Sequence, residues 1–221
     1  MINKINYSQI VQKVKFSNAT LVAVSKTKPN EDIMALYELG QRVFGENRVQ
    51  ELVNKRNMLP KDIEWHLIGY LQRNKVKHIA DFVALIHSVH SRKLLVEIDK
   101  QAAKKNRIIN CLLQFHIADE VTKSGLALEE AIDLLNSDVY KEMKNIKIVG
   151  IMGMGTFTNN MQQIRTEFIQ LRTYFKELKN NFFVDDDFFR EISMGMSGDF
   201  EIALEEDSTM VRVGSLLFGS R

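Results

Sequence analysis

Short apolar segments alternate with segments of helical periodicity along most of this chain. Eight segments have the length and apolar content of buried strands; they lie within residues 20–25, 42–45, 64–69, 82–86, 106–117, 146–152, 190–193 and 209–213. Strands that alternate with helices pair in parallel, and eight such units can close into a barrel. The pattern therefore predicts an α/β fold, a single TIM-type (β/α)8 barrel that forms one domain over residues 1–221.

Residues 1–16 predict an extra N-terminal helix before the barrel. Most of them are polar, and the apolar ones are Ile2, Ile5, Ile10, Val11 and Val14. This is the pattern of an amphipathic helix, whereas a signal peptide or a membrane span needs an uninterrupted apolar core. We therefore expect a soluble, cytoplasmic protein without a membrane partner.

A doubly wound open sheet is the structural alternative. Open sheets that bind nucleotides usually carry a glycine-rich turn after the first strand. Here that turn reads Lys26-Thr27-Lys28-Pro29 and contains no glycine. The barrel is therefore the favoured fold.

Composition and charge narrow the function classes. The 30 basic and 28 acidic side chains give a net charge of +2, without a long block of one sign, so no nucleic-acid partner is expected. The one cysteine, Cys111, cannot form an internal disulfide, which fits a reducing cytoplasm. The histidines His66, His87, His90 and His116 lack the spacing of a zinc site, and we expect no metal.

Lys26 is the first candidate for chemistry, because it follows the apolar run at residues 20–25. A strand that delivers a lysine to its carboxyl end places the amine in a cleft, where burial lowers its pKa. A neutral amine is a nucleophile towards aldehydes, so this position suggests Schiff-base chemistry.

Two loops of small residues indicate a phosphate site. They follow the seventh and eighth strands and contain Ser197 and Gly198 in one loop, and Gly214 and Ser215 in the other. Barrels commonly bind phosphate with these two loops, and glycine lets the backbone approach the anion closely. Lys26 and a phosphate site would therefore share the carboxyl end of the barrel.

Several motifs resemble the pyridoxal phosphate homeostasis protein family, in order, from about residue 20 to the end. They are Ala23-Val24-Ser25-Lys26-Thr27-Lys28-Pro29, Phe44-Gly45-Glu46-Asn47, Trp65-His66-Leu67-Ile68-Gly69, His87-Ser88-Val89, Lys123-Ser124-Gly125, Ser193-Met194-Gly195-Met196-Ser197-Gly198-Asp199 and Ser208-Thr209-Met210-Val211-Arg212-Val213-Gly214. The resemblance implies a barrel similar to the N-terminal domain of alanine racemase. It also implies pyridoxal 5′-phosphate (PLP) as the cofactor, held as a Schiff base.

The resemblance assigns a role to each site residue. The cofactor would be bound by Lys26 as the imine, Asn47 beside the ring, Arg212 facing the pyridine nitrogen, and Ser197, Gly198, Gly214 and Ser215 at the phosphate. The implied function is intracellular vitamin B6 homeostasis, as a carrier or buffer that hands the cofactor to PLP-dependent apoenzymes without robust catalysis. We expect the protein to be a monomer.

The chain departs from the family pattern at a few positions. His90 stands where aspartate is usual, and His116 stands where asparagine is usual. His116 matters most, because it ends the fifth strand and could face the cofactor ring. Glu206-Asp207-Ser208 and Gly155 are further departures.

Two enzymes of the same fold class are the functional alternatives. An amino-acid racemase would need a second acid–base residue, and Tyr70 is the one tyrosine expected near the site. A Schiff-base aldolase would need a carboxylate close to Lys26, and Glu46 is the candidate. The resemblance favours the carrier over both.

Overall fold

The barrel is closed in the computed structural model, which describes residues 2–119 and 124–219. Its eight parallel strands follow one another in sequence order, and the last pairs with the first. The strands are β1 (Thr20–Val24), β2 (Val43–Glu46), β3 (Glu64–Leu67), β4 (Leu85–Val89), β5 (Ile109–Phe115), β6 (Ile146–Gly153), β7 (Glu191–Ser193) and β8 (Met210–Val213). The prediction of a (β/α)8 barrel is confirmed.

Helices surround the barrel and connect its strands. The α-helices are α1 (Lys4–Phe16), α2 (Asn30–Glu38), α3 (Val49–Met58), α4 (Arg92–Ala103), α5 (Leu128–Asn136), α6 (Asp138–Lys141), α7 (Met161–Phe182), α8 (Phe200–Glu205) and α9 (Ser215–Phe218). The connection from β3 to β4 carries a 3-10 helix, Arg73–His78. In the part of the chain that the structure describes, every helix is too short or too polar to cross a lipid bilayer. That residues 1–221 form one domain stays a prediction.

The extra N-terminal helix is also confirmed. The Asn3 side chain caps α1 by accepting a hydrogen bond from the amide of Asn6, at 3.0 Å. Ile10 and Val14 are buried as predicted, but Ile5 is 73% exposed and Tyr7 takes the buried position instead. The helical period explains this exchange, because Tyr7 lies on the same face as Ile10 and Val14, whereas Ile5 does not.

The barrel interior changes from apolar to polar towards the carboxyl ends of the strands. An apolar cluster fills one part and comprises Leu85, Leu112, Val149, Met152 and Met210. Successive side chains of a strand point to opposite faces, so residues two positions apart share a face. His87 therefore follows Leu85 inside β4, and Arg212 follows Met210 inside β8; both are buried. This polar layer lies next to the face where barrels place their sites.

The fourth strand begins three residues later than predicted. The sequence favoured residues 82–86, whereas the strand spans Leu85–Val89. Phe82 belongs to the preceding turn, and its amide donates to the carbonyl of Ile79 at 3.1 Å. His87 and Ser88 consequently lie inside the strand and not in the loop after it. The prediction failed because the strand contains polar residues that only a barrel interior accommodates.

Candidate functional site

A cavity of about 620 Å³ opens at the carboxyl ends of the strands. Its walls include all seven residues that the sequence assigned to the cofactor: Lys26, Asn47, Ser197, Gly198, Arg212, Gly214 and Ser215. They come from four strand ends far apart in the chain, and barrel closure brings them together. The structure thus places the predicted residues around one space, while their contacts with a cofactor stay predictions.

Lys26 lies in a tight turn directly after β1. The amide of Lys28 donates to the carbonyl of Ser25 at 3.0 Å, which closes a four-residue turn with Lys26 second and Thr27 third. Thr27 has a φ of +64°, a left-handed conformation that such turns normally give to glycine or asparagine. For a β-branched residue this backbone costs about 1–3 kcal/mol, so the surroundings must hold it in place.

A buried ion network from α3 holds this turn from behind. The Lys55 ammonium donates to the Ser25 carbonyl, to Oε1 of Glu46 and to Oε1 of Glu51, each at 2.7 Å. Oε1 of Glu51 also accepts the amide of Thr27 at 2.6 Å, and Oε1 of Glu46 accepts the Ser25 hydroxyl at 2.6 Å. The residues on both sides of Lys26 are therefore fixed to α3. Burial raises the pKa of Glu46, and the hydrogen bonds from Lys55 and Ser25 act in the opposite direction.

Glu46 and Asn47 point to opposite sides of β2 and its continuation. Asn47 lines the cavity, while Glu46 is fully buried between the barrel and α3. Gly69 packs closely against the backbone of Asn47. A Cβ added to Gly69 would lie 2.3 Å from the Asn47 carbonyl oxygen. Glu46 does not line the cavity, and its Oε1 is bonded to Ser25 and Lys55, so it does not supply the carboxylate that a Schiff-base aldolase would need.

The two small-residue loops contact each other at the cavity wall. The amide of Gly214 donates to Oγ of Ser197 at 3.2 Å, so the loop after β7 is joined to the start of α9. A Cβ added to Gly198 would meet no heavy atom within 4 Å, which leaves open space beside this backbone. Asp199 lies on the same wall and is buried. These loops therefore offer hydroxyl and amide donors next to a gap.

Arg212 is a buried cation at the floor of the cavity. Its guanidinium donates to Oγ of Ser193 at 2.6 Å and to the carbonyl of Gly153 at 3.0 Å. Burial lowers the pKa of Arg212 to about 10, while the charge of Asp199 acts to raise it. The side chain therefore keeps its charge at neutral pH in a fixed orientation.

A chain of hydrogen bonds continues from Arg212 into the barrel. Oγ of Ser193 lies 3.0 Å from Nδ1 of His87, and Nε2 of His87 lies 3.0 Å from Nδ1 of His66. Burial lowers the pKa of His66 to about 3, and burial together with the charges of His66 and Arg212 lowers the pKa of His87 well below its usual value. Both rings are therefore neutral at pH 7, and they act as hydrogen-bonded interior residues.

The loop after β6 forms the opposite rim. Thr156 lines the cavity, and its amide and hydroxyl donate to the two carboxylate oxygens of Glu167 in α7, at 2.6 and 2.5 Å. The neighbouring Phe157 is 96% exposed. The long helix α7 thus sets the position of this rim.

The sequence of this chain is similar to those of known proteins over most of its length. The model of the family described as "Alanine racemase, N-terminal domain" matches residues 4–221. A relative from Aquifex aeolicus, named pyridoxal phosphate homeostasis protein, is 41% identical over 204 residues, which is 92% of this chain and 87% of the relative. The chain belongs to the pyridoxal phosphate homeostasis protein family.

Solved structures agree with the homeostasis-protein assignment. PipY from Synechococcus elongatus, solved with PLP bound, superimposes with a TM-score of 0.87 at 32% identity; the match covers 97% of this chain and 98% of PipY. Alanine racemase from Bartonella henselae, solved with covalently bound pyridoxal phosphate, gives a TM-score of 0.68 at 19% identity. That match covers 95% of this chain but 56% of the racemase, so the racemase shares the barrel fold.

Some residues that the sequence singled out lie away from the cavity. Tyr70 is 61% exposed and stacks on His90 with 4.5 Å between ring centroids, and neither residue lines the cavity. His116 is not among the described lining residues either. Lys123 lies outside the described residues. Among the residues that the structure describes, no group of histidine, cysteine and acidic side chains could hold a metal ion.

Glu51 belongs to the segment Val49-Gln50-Glu51, which also resembles the family, but the sequence did not single out the pairing of Lys55 with Glu51. Their spacing of four residues on a helix is typical of an ordinary surface ion pair. The buried position of Lys55 depends on how α3 packs behind β1 and β2, and the local pattern does not contain that information. No local signal in the sequence distinguishes Lys55 from a solvated helix lysine.

Proposed function

We propose that this chain binds pyridoxal 5′-phosphate covalently through Lys26 and serves intracellular vitamin B6 homeostasis as a carrier or buffer of the cofactor. The observation that carries the proposal is a single cavity lined by an amine, a buried arginine and two loops of small residues. The names of the relatives and the PLP-bound structure of PipY support it.

The chemistry of the cavity walls fits this cofactor. A volume of about 620 Å³ is within the ordinary range for small-molecule sites. The hydroxyls of Ser197 and Ser215 and the backbone beside Gly198 and Gly214 would hold the phosphate. Arg212 would donate to the pyridine nitrogen and disfavour its protonation, because a guanidinium is a donor without an acceptor. Asn47 would lie beside the ring.

Bound PLP would supply a reactive aldehyde. The Lys26 amine, after loss of its proton, would add to the aldehyde carbon, and loss of one water would leave a C=N bond. Reversal by water or by another amine would release the cofactor, which is the property that a carrier needs. PLP-dependent apoenzymes are the proposed recipients, and the proposed state is a cytoplasmic monomer.

The cavity gives less support to racemase activity than to the carrier function. A racemase needs a second acid–base group opposite the lysine, and such a group usually contributes about 10²–10⁴-fold to the rate. Among the described residues that line the cavity there is no tyrosine, histidine or cysteine. Asp199 and Lys28 do line it, but the Asp199 carboxylate accepts the Met196 amide in the loop after β7, and the Lys28 ammonium donates to the carbonyls of Phe218 and Gly219. The cavity therefore favours holding the cofactor over turnover.

The proposal is tested by loading the purified protein with PLP, reducing it with borohydride and mapping the modified peptide. We expect an imine absorption band before reduction and label on Lys26 alone. Lys26→Ala should lack both the band and the label, while the matched variant Lys75→Ala should keep both. Label on Lys28 or Lys75 of the parent, or no band at all, would contradict the proposal.

A further inference from the structure

We propose that Lys55 is a positioning residue that holds the Lys26 amine in place for its bond to the cofactor. The inference rests on the proposed function, since it concerns the same lysine. Lys55 lies behind the turn on the opposite side from the cavity, and it would act through the backbone of the residues beside Lys26.

The contacts of Lys55 are complete. An ammonium group has three protons and no acceptor. Those protons are taken by the Ser25 carbonyl, Glu46 and Glu51. Lys55 and Glu46 are buried, and Glu51 is partly buried. Glu46 takes part through Oε1 alone, because its buried Oε2 has no hydrogen-bond partner among the described residues. The contacts of Lys55 nevertheless link three elements: the turn, β2 and α3.

The network bonds to the residues next to two cavity residues, Lys26 and Asn47. Ser25 precedes Lys26, and Thr27 follows it; the first bonds to Lys55 and Glu46, and the second bonds to Glu51. Glu46 itself precedes Asn47, which lines the cavity. The charges of the network therefore fix the position of the backbone on both sides of Lys26. They also fix the start of the loop that begins at Asn47.

The positive φ of Thr27 explains why the turn needs this support. A threonine at +64° tends to relax to a negative φ, because its branched Cβ crowds the backbone. The carboxylate of Glu51 holds the Thr27 amide in the strained geometry, and Lys55 holds Glu51. Without Lys55, the turn is free to change shape and the Lys26 amine leaves its position.

The experiment compares PLP with pyridoxamine 5′-phosphate, which has an amine in place of the aldehyde and cannot form the C=N bond. Stopped-flow absorbance follows C=N formation, and fluorescence titration gives the affinity for the analogue. We expect Lys55→Met to slow C=N formation by about a hundredfold, as a displacement near 1 Å does in other sites. Affinity for the analogue should change little, because the phosphate loops do not contact the network.

One further variant keeps the inference falsifiable if Lys55→Met does not fold, and a second variant tests the strain at Thr27 if it does fold. Glu51→Gln leaves Lys55 beside Glu46 but weakens the hold on Thr27, and it should slow C=N formation in the same selective way. Thr27→Gly in the Lys55→Met background should restore part of the rate, because glycine adopts a positive φ without strain. The exposed Lys61→Met serves as the matched control and should behave like the parent.

The outcomes separate this inference from the proposed function. If the parent forms the C=N bond on Lys26 and the Lys55 and Glu51 variants form it at the same rate, the positioning role is wrong and the proposed function stands. Equal losses for PLP and the analogue would also overturn it, since they indicate a general loss of structure. A parent that forms no bond on Lys26 would overturn both.

Discussion

Nε2 of His87 lies 3.0 Å from Nδ1 of His66, and both rings are buried inside the barrel. The Arg212 guanidinium can only donate to Ser193, so we assign the Ser193 hydroxyl hydrogen to the bond with Nδ1 of His87. Nε2 of His87 then carries the hydrogen that is donated to His66. The rings are thereby locked as neutral imidazoles, and a proton added to the pair would lie in a buried, positively charged region.

This arrangement predicts a loss of stability in mild acid. The pKa of His66 falls from 6.5 to about 3 on folding, and that of His87 falls well below 6.5. Between these values the unfolded chain binds more protons than the folded chain, so the free energy of unfolding falls as the pH drops below 6.5. The contribution of each histidine to the slope is about half of 1.4 kcal/mol per pH unit at pH 6.5 and approaches about 1.4 kcal/mol per pH unit towards pH 5. Urea unfolding at several pH values between 7 and 5 measures the slope.

Variants of single histidines check the assignment. His66→Gln should reduce this slope, whatever its effect on stability at pH 7. The matched variant His78→Gln changes an exposed histidine and should leave the slope as in the parent. Equal slopes for the parent and His66→Gln would show that the acid sensitivity has another origin.

Two buried serines provide a test of the hydrogen-bond chain. Oγ of Ser193 bonds to both Arg212 and His87, so Ser193→Ala removes this partner from Nη1 of Arg212 and from Nδ1 of His87, two buried atoms. The expected destabilisation is roughly 1–3 kcal/mol for each group. Oγ of Ser88 is buried and has no hydrogen-bond partner among the described residues, so Ser88→Ala should cost little or stabilise the fold. Thermal unfolding of the two variants measures their stabilities. Equal losses of stability would contradict the proposed chain of hydrogen bonds.

The phosphate loops predict a difference between two neighbouring substitutions. Ser197→Ala removes one hydroxyl donor and should weaken PLP binding by about 1.5–3 kcal/mol, the value of a hydrogen bond to a charged group. Gly198→Val should weaken binding more, because its side chain would occupy the gap that the phosphate needs. A Cβ at position 198 meets no protein atom within 4 Å, so the added Cβ causes no clash, and thermal unfolding of the variant checks that the fold is intact. Parent-like affinity in Gly198→Val would place the phosphate elsewhere.

The cavity also predicts that the loaded protein is a poor racemase. Lys26 is the expected base, and the other titratable residues among the described lining are Lys28, Asp199 and Arg212, without a tyrosine, histidine or cysteine. A proton removed by Lys26 should therefore mostly return to the face that it left. Incubation with L-alanine in D₂O, followed by chiral chromatography and mass spectrometry, should give slow exchange with retained configuration. D-alanine produced at ordinary enzyme rates would favour the racemase.

The sequence could predict the barrel and the cavity residues because both follow from local patterns. Each apolar segment indicates a strand, and barrel geometry brings the strand ends together however far apart they are in the chain. Lys26, Arg212 and Gly214 could thus be assigned to one region before any contact was known. The motifs narrowed the chemistry further, from an amine beside an anion site to a particular cofactor family.

The rest could not be predicted because it depends on packing between distant segments. The fourth strand was misplaced because Phe82 begins an apolar run, whereas the strand itself contains His87 and Ser88. Lys55 has the same local pattern as a solvated helix lysine, and only the approach of α3 to the first turn buries it. His116 was considered for the ring because it follows a strand, but it does not line the cavity.

The contact between α1 and α9 makes the N-terminal segment a remote reporter of the site. The amide of Asn3 donates to the carbonyl of Leu217 at 2.8 Å, and the same short helix begins at Ser215 on the cavity wall. A ligand that orders the start of α9 should also order its far end. The Asn3 amide should therefore exchange its hydrogen with solvent more slowly when PLP is present, although it is not part of the cavity. Hydrogen-exchange mass spectrometry would reveal occupancy from a peptide that never touches the cofactor.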